Sequence, residues 1–488
     1  MIKVITFALC CCLLTSTIAT AQQVLSLNSV VQDAQHKSPS FYRAQSYALN
    51  SLYAYRYYIS GQRPELRMDF NNSSSPMGET ISVLQQDGTY QFARRSYSSS
   101  SLGLSLRQIV PLTGGVFSVR SSLARNDQFS PFDTASYLST PFSISYNQPM
   151  ILYNGYKWDR RIQPLLYEES RRQYVENMEK VSLDAANLYF NALSAQVQEK
   201  ILQSNVSNTD TLYKISQGRY GLGKIAENEL LQIELSLLNA RTSLEQATLN
   251  KEIAYQNLKQ FLSMPKDADI VLNPPDSTPV FVVRLDKAVA EANTNRPAVM
   301  AFRRRRLQSE QEVAQAKGNS GYEFNLNANL GKSRDGASLG SVYTGGMAQQ
   351  SFSVGVGIPI VDWGKARNRI KQAKANRSLA EIDIEQDERS FEQEIYLQTQ
   401  LFNIQQRQLT SAAKADTIAR QRYEITKQRY LIGKISITDL NLAQQEKDQA
   451  SQAYINTLRS YWNAYYTVRR LTLYDFEKEQ KIKYEFEE

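Results

Sequence analysis

The 488 residues are 42% hydrophobic, 21% charged and 10% aromatic, with a formal net charge of +8. That composition supplies ample core material and excludes a chain disordered throughout. One histidine (His36) and three cysteines (Cys10, Cys11 and Cys12, all in the first dozen residues) leave no ligand set for a zinc cluster and no parts for Ser-His-Asp chemistry apart from His36.

The chain opens with Lys3, an apolar stretch from Val4 to Leu14 and Ala19-Thr20-Ala21, the pattern of a secretory signal peptide over residues 1–21. An apolar run of about 11 residues is too short to span a bilayer. Phe7-Ala8-Leu9 before Cys10 lacks the small residue that a lipid anchor requires. The mature chain would have 488 − 21 = 467 residues, no cysteine and, without Lys3, a charge of +7. It contains no run of 18 apolar residues, so no membrane-spanning helix is expected. A β-barrel stays open, because its signal is alternation rather than bulk hydropathy.

Residues 22–283 read as a first structural repeat: a helix, strands within 64–148, then long helices over 157–263. Leu66, Met68 and Phe70 alternate with Arg67, Asp69 and Asn71, and Phe142, Ile144 and Tyr146 alternate with Ser143, Ser145 and Asn147. Between them, Ser98–Ile109 and Val116–Ala124 flank Pro111-Leu112-Thr113-Gly114-Gly115 as a further hairpin. It either adds strands to the sheet or projects as a surface loop. The first long helix, from about Leu165 to Gln217, would be about 80 Å long. After a turn, Leu230, Ile233, Leu237, Ala240, Leu244, Ala247, Lys251, Ala254, Leu258 and Phe261 follow a 3,4 spacing, the seam of supercoiled helices.

Residues 284–474 repeat the plan, with strands over 322–360 and long helices over 365–474, before a tail at 475–488. Phe324, Leu326, Ala328 and Leu330 interleave with Asn325, Asn327 and Asn329, and Phe352, Val354 and Val356 with Ser353 and Gly355. Arg219-Tyr220-Gly221-Leu222-Gly223-Lys224-Ile225 returns as Arg429-Tyr430-Leu431-Ile432-Gly433-Lys434-Ile435, five of seven identical at an offset of 210. Leu27-Asn28 to Pro39 returns as Leu285-Asp286 to Pro297 at an offset of 258, so the first repeat carries 258 − 210 = 48 more residues between Pro39 and Pro149. The helices suit a coiled-coil rod or an α-helical tube. The strands suit a soluble sandwich with a wet outer face or, better, a membrane barrel, since no second sheet is available to cover them. Two strands per repeat gives four per chain, too few to close; three copies would give twelve.

The duplicated halves, Leu285-Asp286 to Pro297, Pro359-Ile360-Val361-Asp362-Trp363-Gly364, and Tyr430-Leu431-Ile432-Gly433 through Thr438-Asp439-Leu440 resemble the TolC family of outer-membrane efflux proteins. The resemblance implies a mixed α and β fold, internally duplicated: a long coiled-coil α-helical barrel plus a membrane β-barrel completed by trimerisation. It implies a location in the cell outer membrane with a periplasmic extension. The implied partners are two more copies in a homotrimer, outer-membrane lipid, a periplasmic adaptor (membrane fusion protein) and an inner-membrane RND or ABC transporter. The implied function is that of the channel of a tripartite efflux system, a passive conduit for small molecules or drugs. A type I protein secretion exit duct and a non-channel periplasmic coiled-coil protein are the alternatives. No catalytic, metal or cofactor site and no nucleic-acid partner are expected.

The resemblance also places Asp439 at a channel constriction, with Glu229 at the repeat-related position. Three copies of Asp439 would form a carboxylate ring that attracts cations. Leu442 stands where a second acid occurs in the family, and Ile435 beside Lys434 where an arginine occurs. Tyr430 or Lys434 reaching Glu229 of a neighbouring helix pair is the expected substitute tether. Both acids would also be favoured simply as first-turn residues of their helices. Arg219, Tyr220, Gly221 and Gly223, with Arg429 and Gly433, are the expected adaptor-docking tips. Arg303-Arg304-Arg305-Arg306 reads as a solvated or rim-facing charge cluster on a helix, and His36 as a surface or packing residue.

Overall fold

A computed structural model describes residues 23–84, 86–130, 133–149, 152–275 and 277–485. The signal peptide read over 1–21 and the last three residues of the tail lie outside the described residues. In chain order the elements are β1 (Gln23–Leu25), α1 (Leu27–Lys37), α2 (Pro39–Ser60), β2 (Glu65–Leu84), β3 (Tyr90–Val110), β4 (Gly115–Ser130), β5 (Thr134–Pro149), α3 (Gly155–Gly221) and α4 (Glu227–Phe261). There follow β6 (Ile270–Leu272), α5 (Leu285–Asn295), α6 (Pro297–Gly318), β7 (Glu323–Gly336), β8 (Met347–Gly357), α7 (Lys365–Leu431), α8 (Ile437–Thr472), β9 (Tyr474–Asp475) and β10 (Gln480–Lys481).

The helices come in pairs of matching length. α1 and α5 have 11 residues each, α2 and α6 have 22, α3 and α7 have 67, and α4 and α8 have 35 and 36. Each α1-like helix breaks for the same reason. Ser38 and Arg296 precede a proline and take extended backbone, with ψ of 149° and 145°. Pro39 and Pro297 then open the next helix, where a missing N–H costs no hydrogen bond. Among the described residues, the repeats differ in what they give the large sheet: four strands from the first, two from the second.

The chain divides into two compact units that cut across the repeats. One comprises Met1–Leu49, Arg171–Pro297 and Arg389–Glu488; the other comprises Asn50–Ser170 and Ala298–Glu388. In the first unit β1 lies parallel to β6. The side chain of Gln196 accepts from Leu272 N (2.9 Å) and donates to its carbonyl (2.8 Å). The seam expected from the 3,4 spacing faces inward: Ile233, Leu237, Ala247 and Leu258 on α4, and Leu440, Ala443, Tyr461, Ala464, Val468 and Leu471 on α8, are buried. The polar member Lys251 is held by Glu199 at 2.6 Å. Lys447 lies 4.4 Å from the centre of the Tyr423 ring, a cation–π contact that lets a lysine occupy a seam.

A buried ion cluster closes the same unit near the C-terminal segment. Arg469 donates from Nε and Nη2 to the two oxygens of Glu179 at 2.9 and 3.1 Å, and it also pairs with Asp475. Tyr484 donates to Glu179 Oε1 at 2.6 Å. Burial works against the Arg469 charge, but the hydrogen bonds and charge of Glu179 outweigh it and hold the guanidinium above its usual range.

The second unit contains a six-stranded antiparallel meander in the order β2-β3-β4-β5-β7-β8. The expected four strands per chain are thus six. The undecided hairpin is β3 and β4, paired without a gap between β2 and β5. Strands expected over 64–148 and 322–360 run over 65–149 and 323–357. Past β8 the Pro359-to-Gly364 segment makes the turn into α7: Asp362 accepts from Gly364 N (2.8 Å) and Ala366 N (2.9 Å). Those two N–H groups hold the Asp362 carboxyl below the usual carboxylate range. Of the arginine run, Arg304 forks onto Glu169 at 2.6 and 3.0 Å, Arg305 pairs with Asp387, and Arg306 reaches Glu388 at 2.8 Å. Three of the four arginines thus make ion pairs between helices, and Arg303 is exposed. His36 is exposed at the end of α1, its ring 6.3 Å from that of Phe41.

Candidate functional site: the sheet faces and the helical tip

Period-two alternation gives the sheet two chemically different faces, and register carries the difference across strands. Leu66 sits opposite Leu106, Leu106 opposite Val119, Val119 opposite Ile144 and Ile144 opposite Leu330. The next rows add Met68 opposite Leu104 and Ala328 opposite Phe352. On the other face Arg107, Ser118, Ser145, Asn329 and Ser351 form one row, and Asn147, Asn327 and Ser353 another. Hydrogen bonds tie that polar face together: Ser118 to Ser145 at 2.7 Å and Ser143 to Asn329 at 2.7 Å. Among the described residues, nothing covers the apolar face. Phe352 is 70% exposed, Met68 68% and Leu104 46%. Among the described residues, no helix is long and apolar enough to cross a membrane.

The tip lies in the first unit, where α3 turns into α4 and α7 into α8. Both turns end their helix with the same motif. Gly223 N bonds Tyr220 O (2.8 Å) and Lys224 N bonds Arg219 O (2.8 Å); Gly433 N bonds Tyr430 O (2.9 Å) and Lys434 N bonds Arg429 O (3.0 Å). Gly223 and Gly433 have φ of +71° and +74°, which is why glycine recurs there. Beneath the turns, Leu212, Ile233, Tyr423, Tyr430, Ile437 and Leu440 make one buried cluster fed by all four long helices. Burial pushes the Tyr423 hydroxyl up to about 12.

The structure places the expected site residues unequally. Asp439 is the third residue of α8 in a capping box: its Oδ2 accepts from Ser436 N (3.2 Å) and Ser436 Oγ (2.8 Å), and its own N–H donates to Ser436 Oγ (3.2 Å). It also lines a groove with Arg429, Ile435 and Leu442, so the positions where the chain departs from the family pattern meet on one surface. Glu229 is exposed in the first turn of α4, which has no side-chain cap. Tyr430 is buried with the Arg219 guanidinium 5.7 Å from its ring centre, and Lys434 is exposed. Within one chain, Tyr430 is therefore engaged by Arg219. Tyr220, Gly221 and Arg429 are exposed at the turns.

Two features of the tip escaped sequence reasoning. Arg219 donates from Nη2 to Leu431 O at 2.9 Å, bridging the two turns across the duplication. Ser436 is the cap of α8; the Ser-x-x-Asp spacing ahead of an apolar series was the available signal. Ser436→Ala is expected to destabilise the tip by about 1 kcal/mol. Faster amide hydrogen exchange confined to the first turn of α8 would show it, and unchanged exchange there would count against the cap.

A model of the outer membrane efflux protein family matches residues 111–263 and 288–472. No curated protein matches the chain. Among solved structures, the CmeC outer membrane channel of Campylobacter jejuni is similar at a TM-score of 0.64 and 19% identity, over 91% of this chain and 85% of that one. The outer membrane protein VceC of Vibrio cholerae is similar at 0.64 and 13%, over 94% and 97%. The open-state MtrE outer membrane channel of Neisseria gonorrhoeae is similar at 0.61 and 14%, over 94% and 91%.

Proposed function

Since this chain belongs to the outer membrane efflux protein family, we propose that it is the outer-membrane channel component of a tripartite efflux system. It acts as a homotrimer, a passive conduit for small molecules or drugs. Its sheet completes a barrel in outer-membrane lipid and its long helices line a periplasmic duct. The turns at Gly221–Gly223 and Gly433 receive a periplasmic adaptor, which links the channel to an inner-membrane RND or ABC transporter that supplies the energy.

The observation that carries this reading is the sheet: one face apolar and exposed, the other a ladder of serine and asparagine, and, among the described residues, two unpaired edges in β2 and β8. Such a sheet is unstable in water and forbidden in lipid until its edges meet other strands. The helices support oligomerisation too. Opposite its buried seam α4 exposes Leu231, Leu235, Leu238, Leu249 and Ile253, a stripe suited to a neighbouring helix.

Asp439 is assigned to the cation-attracting constriction. Because its carboxylate also caps α8, Asp439→Asn is the informative change: it removes charge while keeping an acceptor for Ser436. In planar bilayers under asymmetric salt it is expected to reduce cation preference and block by multivalent cations. An unchanged reversal potential would remove Asp439 from selectivity. For the docking role, Gly223→Asp or Gly433→Asp is expected to abolish drug resistance while trimers still form. Full resistance with either substitution would sink docking at the tip.

A further inference from the structure

We infer that the outer-membrane pore formed by this chain is a ring of eighteen strands, β8 of each copy pairing with β2 of the next. The inference rests on the trimeric channel reading above: six strands in each of three copies give 6 × 3 = 18.

Four observations make β3 and β4 full members of the wall. They are paired on both sides over most of their length, with β3 bonded to β2 and β4, and β4 to β3 and β5. They carry the same apolar band at the same level: Leu106 and Val119 stand in the row that runs from Leu66 to Leu330. A hairpin projecting into water would have no reason to keep that row. Their opposite face continues the polar rows through Arg107 and Ser118.

The fourth observation is where the hairpin turns. The segment between Val110 and Gly115 is fastened to residues at the helix-bearing end of the sheet. Asn154, just before α3, donates to Pro111 O (2.8 Å) and Leu112 O (3.1 Å). Gln148 donates to Thr113 O (2.9 Å), and Gln108 to Gln62 O, just after α2 (3.0 Å). β3 and β4 therefore run the full height of the sheet, from the helix-bearing end to the far end.

Closure follows from direction. Successive strands alternate along the meander, so β2 and β8 run oppositely, and β8 set against β2 of the next copy continues the antiparallel pattern. An even count closes a barrel with no edge left in lipid. At the usual strand spacing and tilt, eighteen strands enclose a backbone-to-backbone diameter of about 36 Å, against about 24 Å for twelve. A ring of that size leaves an aqueous lumen rather than one filled by side chains. Here the face turned to it is polar and carries both charges, with Glu65, Asp69 and Arg107 beside Ser118, Asn327 and Asn329.

Electron cryo-microscopy of the intact detergent-solubilised protein tests the count, and eighteen strands around a threefold axis are expected. A threefold ring of twelve strands, with β3 and β4 outside the wall, would overturn this inference and leave the channel reading standing. A particle without a threefold ring would overturn the channel reading, and this inference with it. A labelling experiment in reconstituted liposomes gives an independent check through Leu104→Cys and Ser105→Cys, neighbours on opposite faces of β3. A water-soluble maleimide is expected to modify Ser105→Cys readily and Leu104→Cys at least tenfold more slowly. A probe on Leu104→Cys is expected to be quenched by brominated lipid. Equal labelling of the two positions would remove the hairpin from the wall.

Discussion

Val354→Arg is expected to prevent stable assembly in the outer membrane, while Ser353→Arg, one residue away, is expected to assemble normally. Val354 lies on the apolar face of β8, opposite Leu326 on β7, and is 47% exposed in the single chain. An arginine facing lipid near the bilayer midplane costs about 2–4 kcal/mol, and every copy in the ring would bear it. Ser353 belongs to the polar row with Asn147 and Asn327, where a cation meets water. The readout is the heat-modifiable oligomer on gels, with recovery of the protein in the outer-membrane fraction after a carbonate wash. If both substitutions behaved alike, the two faces would not be lipid and lumen.

Glu179→Ala carries the second large effect, in the helical unit. Glu179 is fully buried and takes both arms of Arg469 as well as the Tyr484 hydroxyl. Its removal leaves a buried guanidinium with Asp475 and the Tyr465 hydroxyl. Breaking a buried pair from one side costs about 3–5 kcal/mol, mostly the price of a stranded charge. The guanidinium midpoint of the helical circular-dichroism signal is expected to fall clearly. Glu179→Gln, which keeps an acceptor, is expected to lose less. A midpoint unchanged in Glu179→Ala would show that the cluster contributes nothing net.

Much of this was readable from the sequence because it is local. The 3,4 series from Leu230 to Phe261 marks a seam that is indeed turned inward. Pro39 and Pro297 mark breaks that backbone sterics make inevitable. The strand count was not readable. Leu102, Leu104 and Leu106 alternate in the sequence, but alternation reports only that a strand has two faces. Whether it pairs with Leu66 and Val119 is a long-range question of register. The tip divides along the same line. Helix-ending glycines were legible, while Arg219 reaching Leu431 O across 212 residues was not. The sequence marks Asp439 as a charge, yet its nearest partner is the hydroxyl of its own helix cap.

The near-equality of helix lengths between the repeats, set against their unequal shares of the large sheet, limits how such a wall can be lengthened in evolution or by design. A single added strand would deliver the chain to the wrong end of the sheet and strand the following helix on the opposite side of the bilayer. Growth is therefore confined to whole hairpins spliced in with a bend at the helix-bearing end, the form taken by the 48 residues (258 − 210) that the first repeat has and the second lacks. A chimera lacking Tyr90–Ser130 keeps both entry and exit strands pointing as they do now, so that in the proposed ring the girth could be edited without touching the helices.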